Sequence, residues 1–266
     1  MICTLGDLLL DVIVRLDGPI AEDTDTYGRT RVGVGGQAAN VAAWAVALGG
    51  RARFVGKRAR DPAGRILAEE LRGRGVDVAG PEVEAGTGTV VSVATPEGAR
   101  TMLTDRGVAT ELTPDELDPS WLDGCEWLHV PGYSIVRSPL RETALAASEL
   151  ASRISIDLSS TAAIEELGVG TFRETVDTLG PQVVFANEAE AELVDDLDAP
   201  TVVIKRGERG CVVVTPASST ELASSEATVI DTTGAGDAFA AGFLLGGPDL
   251  ALDAAARCVS KLGATP

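Results

Sequence analysis

Asp231-Thr232-Thr233-Gly234-Ala235-Gly236-Asp237-Ala238-Phe239-Ala240-Ala241-Gly242-Phe243-Leu244 joins a polar, glycine-rich turn to small and apolar residues at helical spacing. A β-branched approach, Thr228-Val229-Ile230, leads into it. The first N–H groups of a helix have no intrahelical partner and lie at the positive end of its dipole, so they can hold an anionic oxygen. Asp237 places a carboxylate at the same point. In a plain anion cradle it would repel phosphate. It fits if it takes a proton from a hydroxyl while the amides hold a phosphoryl group. The stretch therefore points to a turn opening a helix and to phosphoryl transfer to an alcohol. A plain helix cap is the competing reading of the same Asp.

The rest of the chain sets the frame. Its 266 residues suffice for a sizeable core, and 45% hydrophobic residues argue for a folded globule. Lys and Arg number 22 against 40 Asp and Glu, a formal charge of −18 that disfavours non-specific nucleic-acid binding. No apolar run is long enough for a membrane span, and Met1-Ile2-Cys3-Thr4-Leu5 reads as a first strand instead of a signal peptide. Cys3, Cys125, Cys211 and Cys258 are widely spaced, with no zinc pattern, as expected for free thiols in a cytoplasmic protein. No Walker A loop and no convincing G-x-G-x-x-G occur, which removes the usual signature of a dinucleotide site.

Strand and helix patterns alternate, most regularly from Trp127 onward. This predicts an α/β fold with a mostly parallel central sheet covered on both faces. Extended pieces at 12–33 and 82–104 interrupt the alternation. The Ser- and Thr-rich stretch Ala217 to Ser225 reads as a solvated loop.

Gly35-Gly36-Gln37-Ala38-Ala39-Asn40-Val41-Ala42, taken with the Asp231–Leu244 stretch, resembles the paired signatures of the PfkB family of carbohydrate kinases, also called ribokinase-like. The resemblance extends over most of the chain. It implies one three-layer sandwich domain over 1–266 with a small β-sheet lid built from the two insertions. It implies an ATP-dependent sugar kinase in which Asp237 is the general base and Gly234, Ala235 and Gly236 form the anion hole. Asn187 and Glu190 match an N-x-x-E element that organises Mg2+ through water, although the same pair also reads as a capping box. Lys205, Gly207 and Gly210 match a turn beside the nucleotide. Asp231 and Thr233, the latter also next to the nucleotide, match part of a K+ site; only Thr265-Pro266 follow Gly263-Ala264 to complete it.

On the acceptor side the resemblance assigns Asp11, Gly35, Gly36 and Asn40 to sugar hydroxyls. Arg106 matches an arginine that holds the acceptor carboxylate in ketodeoxygluconate kinases. The tyrosine and the Asn-x-Arg that accompany it there are Thr104 and the Asp157-Leu158-Ser159-Ser160 region here. A neutral sugar is thus favoured. Nucleoside and acidic-ketosugar kinases are the alternatives, and a non-catalytic nucleotide or sugar binder is a further one. Arg58 and Arg60 read as surface residues or contacts to an anionic acceptor. His129, the only histidine, reads as structural. Relatives often dimerise through lid strands, and Val12 to Leu16 and Thr87 to Val93 are the expected exposed edges.

Overall fold

The computed structural model describes residues 1–96, 100–195 and 197–266, with Arg100 described in its backbone only. Positions 97–99 of the second expected insertion lie outside the described residues. The elements follow in chain order. The first third holds β1 (Ile2–Leu5), β2 (Leu9–Leu16), β3 (Gly28–Gly35), α1 (Gln37–Ala47), β4 (Ala52–Val55), β5 (Arg58–Ala59), α2 (Pro62–Gly73) and β6 (Asp77–Ala79). Next come β7 (Glu82–Val83), β8 (Thr87–Ala94), β9 (Arg100–Gly107), β10 (Trp127–Pro131), α3 (Tyr133–Val136), α4 (Leu140–Ser148), β11 (Ile154–Asp157), α5 (Thr161–Leu167) and α6 (Val169–Leu179). The last are β12 (Val183–Asn187), α7 (Glu188–Val194), β13 (Thr201–Lys205), β14 (Cys211–Thr215), β15 (Ser218–Leu222), α8 (Ala235–Gly246) and α9 (Pro248–Val259).

Among the described residues the large sheet runs β15-β14-β13-β12-β11-β10-β1-β4-β6. It is parallel from β6 to β13, and β14 and β15 add antiparallel strands at one end. Its strands are aliphatic on both faces because helices cover both. On one face Ile2, Phe54, Phe185 and Val203 pack with α1, α2, α8 and α9. On the other, Cys3, Leu5, Leu128 and Ile156 pack with α3 through α7. This three-layer arrangement is the expected one.

A second sheet runs β3-β2-β8-β9, with β2 and β8 parallel and the outer pairs antiparallel. It corrects the expected edges. Val12 to Leu16 and Thr87 to Val93 belong to β2 and β8, the inner pair, because these strands pair with each other from Leu10–Thr89 to Arg15–Ala94. The edges are β3 and β9. One other expectation also changes. The stretch from Ala217 to Ser225 contains β15, an exposed polar strand whose register on β14 comes from backbone pairing that hydrophobic periodicity does not report. Thr228-Val229-Ile230 joins no sheet; the Ile230 and Asp231 amides donate to Val259 O at 2.7 and 3.2 Å.

Candidate active site

The start of α8 carries the decisive geometry. Gly234 takes φ +77°, and a Cβ there would lie 2.6 Å from Ala264, so only glycine turns the chain at this point. Gly234 O accepts from Ala238 N at 2.9 Å, which begins the helix. The Gly236 and Asp237 amides belong to the first turn, where helix geometry supplies no acceptor. Asp237 is 8% exposed. Asn40, on the facing helix α1, donates from Nδ2 to Asp237 Oδ2 at 2.8 Å. Among the described residues, the buried Asn40 Oδ1 has no hydrogen-bond partner. Burial raises the Asp237 pKa to about 8; the Asn40 amide and Lys205 oppose the rise, and Asp157 and Asp7 add to it.

Lys205 ends β13 beside this helix start. Its Nζ pairs with Asp157 Oδ2 at 2.5 Å, and a Cβ on Gly236 would lie 3.2 Å from the same Nζ. Burial pushes the Lys205 pKa down, but Asp157 outweighs it and the net shift is upward. A cavity of about 1000 Å³ opens from this point. Lys205, Gly207, Gly210, Thr232, Ala235 and Gly236 line one part, and Val229, Leu252, Ala255, Ala256 and Val259 supply an apolar wall. Gly210, at φ +82°, abuts the β15 backbone so closely that a Cβ would fall 2.0 Å from Leu222 O.

Asn187 and Glu190 form a complete capping box. Asn187 N donates to Glu190 Oε2 at 2.8 Å, Asn187 Nδ2 to Glu190 Oε1 at 2.7 Å, and Glu190 N to Asn187 Oδ1 at 2.9 Å. The structural reading of this pair therefore holds. Glu190 is 2% exposed, and burial followed by Asp157 raises its pKa. Asp231 Oδ1 accepts from Thr233 N at 3.0 Å and Thr233 Oγ1 at 2.6 Å, and its Oδ2 accepts from Gly263 N at 3.0 Å. The carboxylate thus ties the turn before α8 to the segment after α9.

The expected acceptor residues converge on the other side of Asp237. A Cβ on Gly35 would lie 2.8 Å from Asp11 Cβ, and one on Gly36 would lie 2.4 Å from Asp7 O. The chain therefore passes close under both acids. Arg106 pairs with Asp7. Its Nη1 bonds to Asp7 Oδ2 at 2.6 Å, and its guanidinium lies 4.0 Å from the Tyr133 ring centroid. Asp7 Oδ1 accepts from Ala38 N at 3.2 Å.

Sequence reasoning missed Asp7 and Asp157. Each is an acid closing or following a buried aliphatic strand, Ile2–Leu5 and Ile154–Asp157, and that was the available signal. Arg58 and Arg60 stand apart from the site. Arg58 pairs with Glu82 and bonds to Gly80 O at 2.8 Å, and Arg60 pairs with Glu84 at 3.3 Å, so both hold β5 and β7 together. His129 is fully buried, with Nδ1 3.0 Å from Ser155 Oγ, and burial lowers its pKa to about 4. It is a neutral structural histidine.

A buried carboxylate beside helix-terminal amides, with a lysine and a large half-apolar cavity on the same side, belongs to a phosphotransferase of the ribokinase-like fold. The chain belongs to the pfkB family of carbohydrate kinases, whose model matches residues 1–265, and it is an ATP-dependent carbohydrate kinase. It is 28% identical over 268 residues to Fructokinase-1 of Zea mays, covering 92% of this chain and 82% of that one. It is 30% identical over 255 residues to the ATP-dependent ribose-1-phosphate kinase of Halopiger xanaduensis, covering 91% and 83%. The crystal structure of adenosine kinase from Sinorhizobium meliloti superposes with a TM-score of 0.89 at 26% identity, covering 100% of this chain and 95% of that one.

Proposed function

We propose that this kinase moves the γ-phosphoryl group of ATP to a hydroxyl of a neutral sugar, with Asp237 as general base. The Asn40–Asp237 bond carries the reading, because it brings the two glycine-rich blocks together across 197 residues of sequence. The acceptor O–H gives its proton to Asp237, the acceptor oxygen bonds to phosphorus, and the bond from phosphorus to ADP breaks. Asp237 near pKa 8 keeps appreciable basicity for that proton. The Gly234-Ala235-Gly236 amides and Lys205 face the transferred group, and the apolar wall by Val229, Ala255 and Ala256 receives the base. Asp11, the Gly35-Gly36 backbone and Asn40 Oδ1 hold acceptor hydroxyls. Closure of the small sheet as a lid over the acceptor excludes water.

Among the described residues no group of three or more His, Cys, Asp or Glu is arranged to hold a metal ion. Glu190, buried at the start of α7, and Asn187 are the residues that would reach Mg2+ through water, with the nucleotide phosphates holding the ion itself. When bound, the ion would supply neutralisation of the phosphate charge. Asp231 and Thr233 are the residues for a K+ ion beside the same turn.

A neutral acceptor is favoured because Asp7 already engages Arg106, while the carboxylate of Asp11 beside Gly35 opposes an acceptor carboxylate. A nucleoside acceptor is the second reading, supported by the similarity to the Sinorhizobium meliloti adenosine kinase. An ATP-consumption screen over D-fructose, D-ribose, acidic ketosugars and adenosine tests both. Turnover of a neutral sugar is the expected result. Turnover confined to acidic sugars or to adenosine overturns the neutral-sugar choice.

A further inference from the structure

Asp157 does not itself line the cavity, yet its two oxygens reach toward both halves of the site. It ends β11 and is 1% exposed. Oδ2 holds Lys205 Nζ, which faces Gly236 at the head of α8. Oδ1 accepts from Ser159 N at 3.0 Å. Ser159 takes φ +72°, a left-handed conformation uncommon for a residue with a Cβ. Its hydroxyl accepts from Gly132 N at 2.8 Å and donates to Gln37 Oε1 at 2.5 Å. Gln37 opens α1 directly after the Gly35-Gly36 pair, and Gly132 precedes Tyr133, on which Arg106 stacks. One buried carboxylate thus joins the phosphoryl-side lysine to the turn beneath the acceptor.

We infer that Asp157 is a positioning residue for phosphoryl transfer: one oxygen sets the Lys205 ammonium at the anion hole, and the other sets the Ser159 turn that shapes the acceptor floor through Gln37 and Gly132. The inference rests on the kinase reading above. It assigns each oxygen its own effect. Losing the Lys205 arm misplaces charge that acts on the transferring group and lowers kcat. Losing the Ser159 arm loosens the acceptor floor and raises the acceptor KM. A buried acid needed only for folding would lower stability without separating these effects.

The test uses the full-length protein, ATP and whichever acceptor gives the highest turnover in the screen. Asp157→Asn keeps an oxygen for Ser159 N but no charge for Lys205. It is expected to lower kcat roughly 10- to 100-fold with little change in acceptor KM. Ser159→Ala is expected to raise the acceptor KM with kcat and nucleotide affinity near wild type. Lys205→Met should match Asp157→Asn in kcat, and the double variant should be no slower than Lys205→Met alone. Wild-type kcat in Asp157→Asn, or additive losses in the double variant, overturns the inference while leaving the kinase reading intact. If Asp157→Asn does not fold, Ser159→Ala decides: an unchanged acceptor KM overturns the inference. If no acceptor in the screen is phosphorylated, the kinase reading fails and the inference falls with it.

Discussion

Asn40 Nδ2 and Asp237 Oδ2 lie 2.8 Å apart, and this contact orients the carboxylate of one helix from the first turn of another. Each residue is left with one atom for chemistry. Asn40 retains a carbonyl oxygen without a partner among the described residues, and Asp237 retains its second carboxylate oxygen in a buried setting. One sugar hydroxyl donating to Asn40 Oδ1 and a neighbouring one giving its proton to Asp237 meet both needs.

Asp237→Asn is expected to lower kcat by about 10²–10⁴-fold while ATP affinity changes little. The variant is also expected to be more stable at neutral pH. The carboxyl loses its proton near 3.8 in the unfolded chain and near 8 in the folded protein. Between these values the folded state binds more protons, so ionisation costs stability as the pH rises. Thermal melts of both proteins should show a Tm gain that is small near the lower value and grows until about pH 8. A gain independent of pH would show that burial does not shift this carboxyl, and normal turnover would remove Asp237 as the base.

Asn40→Ala should raise the acceptor KM and weaken catalysis by about tenfold or more, since losing a buried hydrogen bond costs roughly 1–3 kcal/mol. It should also move the acid limb of kcat/KM to higher pH, because the Asn40 amide lowers the Asp237 pKa. A pH–rate profile from pH 5 to 10 checks this. An acid limb unchanged from wild type would mean the hydrogen bond does not act on the base.

The glycine-rich turn, the small-residue helix and the alternating aliphatic runs made the large sheet and the Asp237 end legible in the sequence. Asn40 was legible as part of a motif, but its bond to Asp237 was not, because pairing across 197 residues leaves no local pattern. Asp7 and Asp157 escaped for a related reason. Their partners, Arg106 and Lys205, come from distant strands, so each acid looked like an ordinary strand terminus. The polar strand β15 escaped because exposed edge strands lack the alternation that marks a buried face.

Gly234→Ala places a methyl 2.6 Å from Ala264 in a backbone conformation that disfavours any Cβ. It is expected to lower Tm and to weaken ATP binding more than sugar binding, since the turn before α8 faces the nucleotide side. Calorimetric titrations with each ligand check it. Equal losses for both ligands would place the effect on the whole fold.

A homodimer through the small sheet is expected, now with β3 and β9 as its edges. Val32 and Leu103, on these edge strands, are 59% and 60% exposed. Light scattering over a concentration series should give twice the chain mass, and Val32→Lys with Leu103→Lys should return the monomer. A monomer at every concentration defeats the expectation.

Arg106→Ala separates acceptor recognition from folding. Its partner Asp7 has a side chain only 5% exposed, so removing the guanidinium leaves a buried carboxylate without its ion pair. Breaking a buried pair by removing one member costs roughly 3–5 kcal/mol. Arg106→Ala should therefore lower Tm whatever the acceptor. Replacing both members, Asp7→Asn with Arg106→Met, should recover much of that loss because no lone charge remains. If the acceptor is neutral, the double variant retains more kcat/KM than Asn40→Ala, since Arg106 then serves the fold and Asn40 the substrate. If activity is confined to acidic sugars and the double variant abolishes it at restored Tm, Arg106 binds the acceptor carboxylate and the neutral-sugar reading is wrong. The role of Asp237 stands in either case, because the Asn40–Asp237 contact does not involve Arg106.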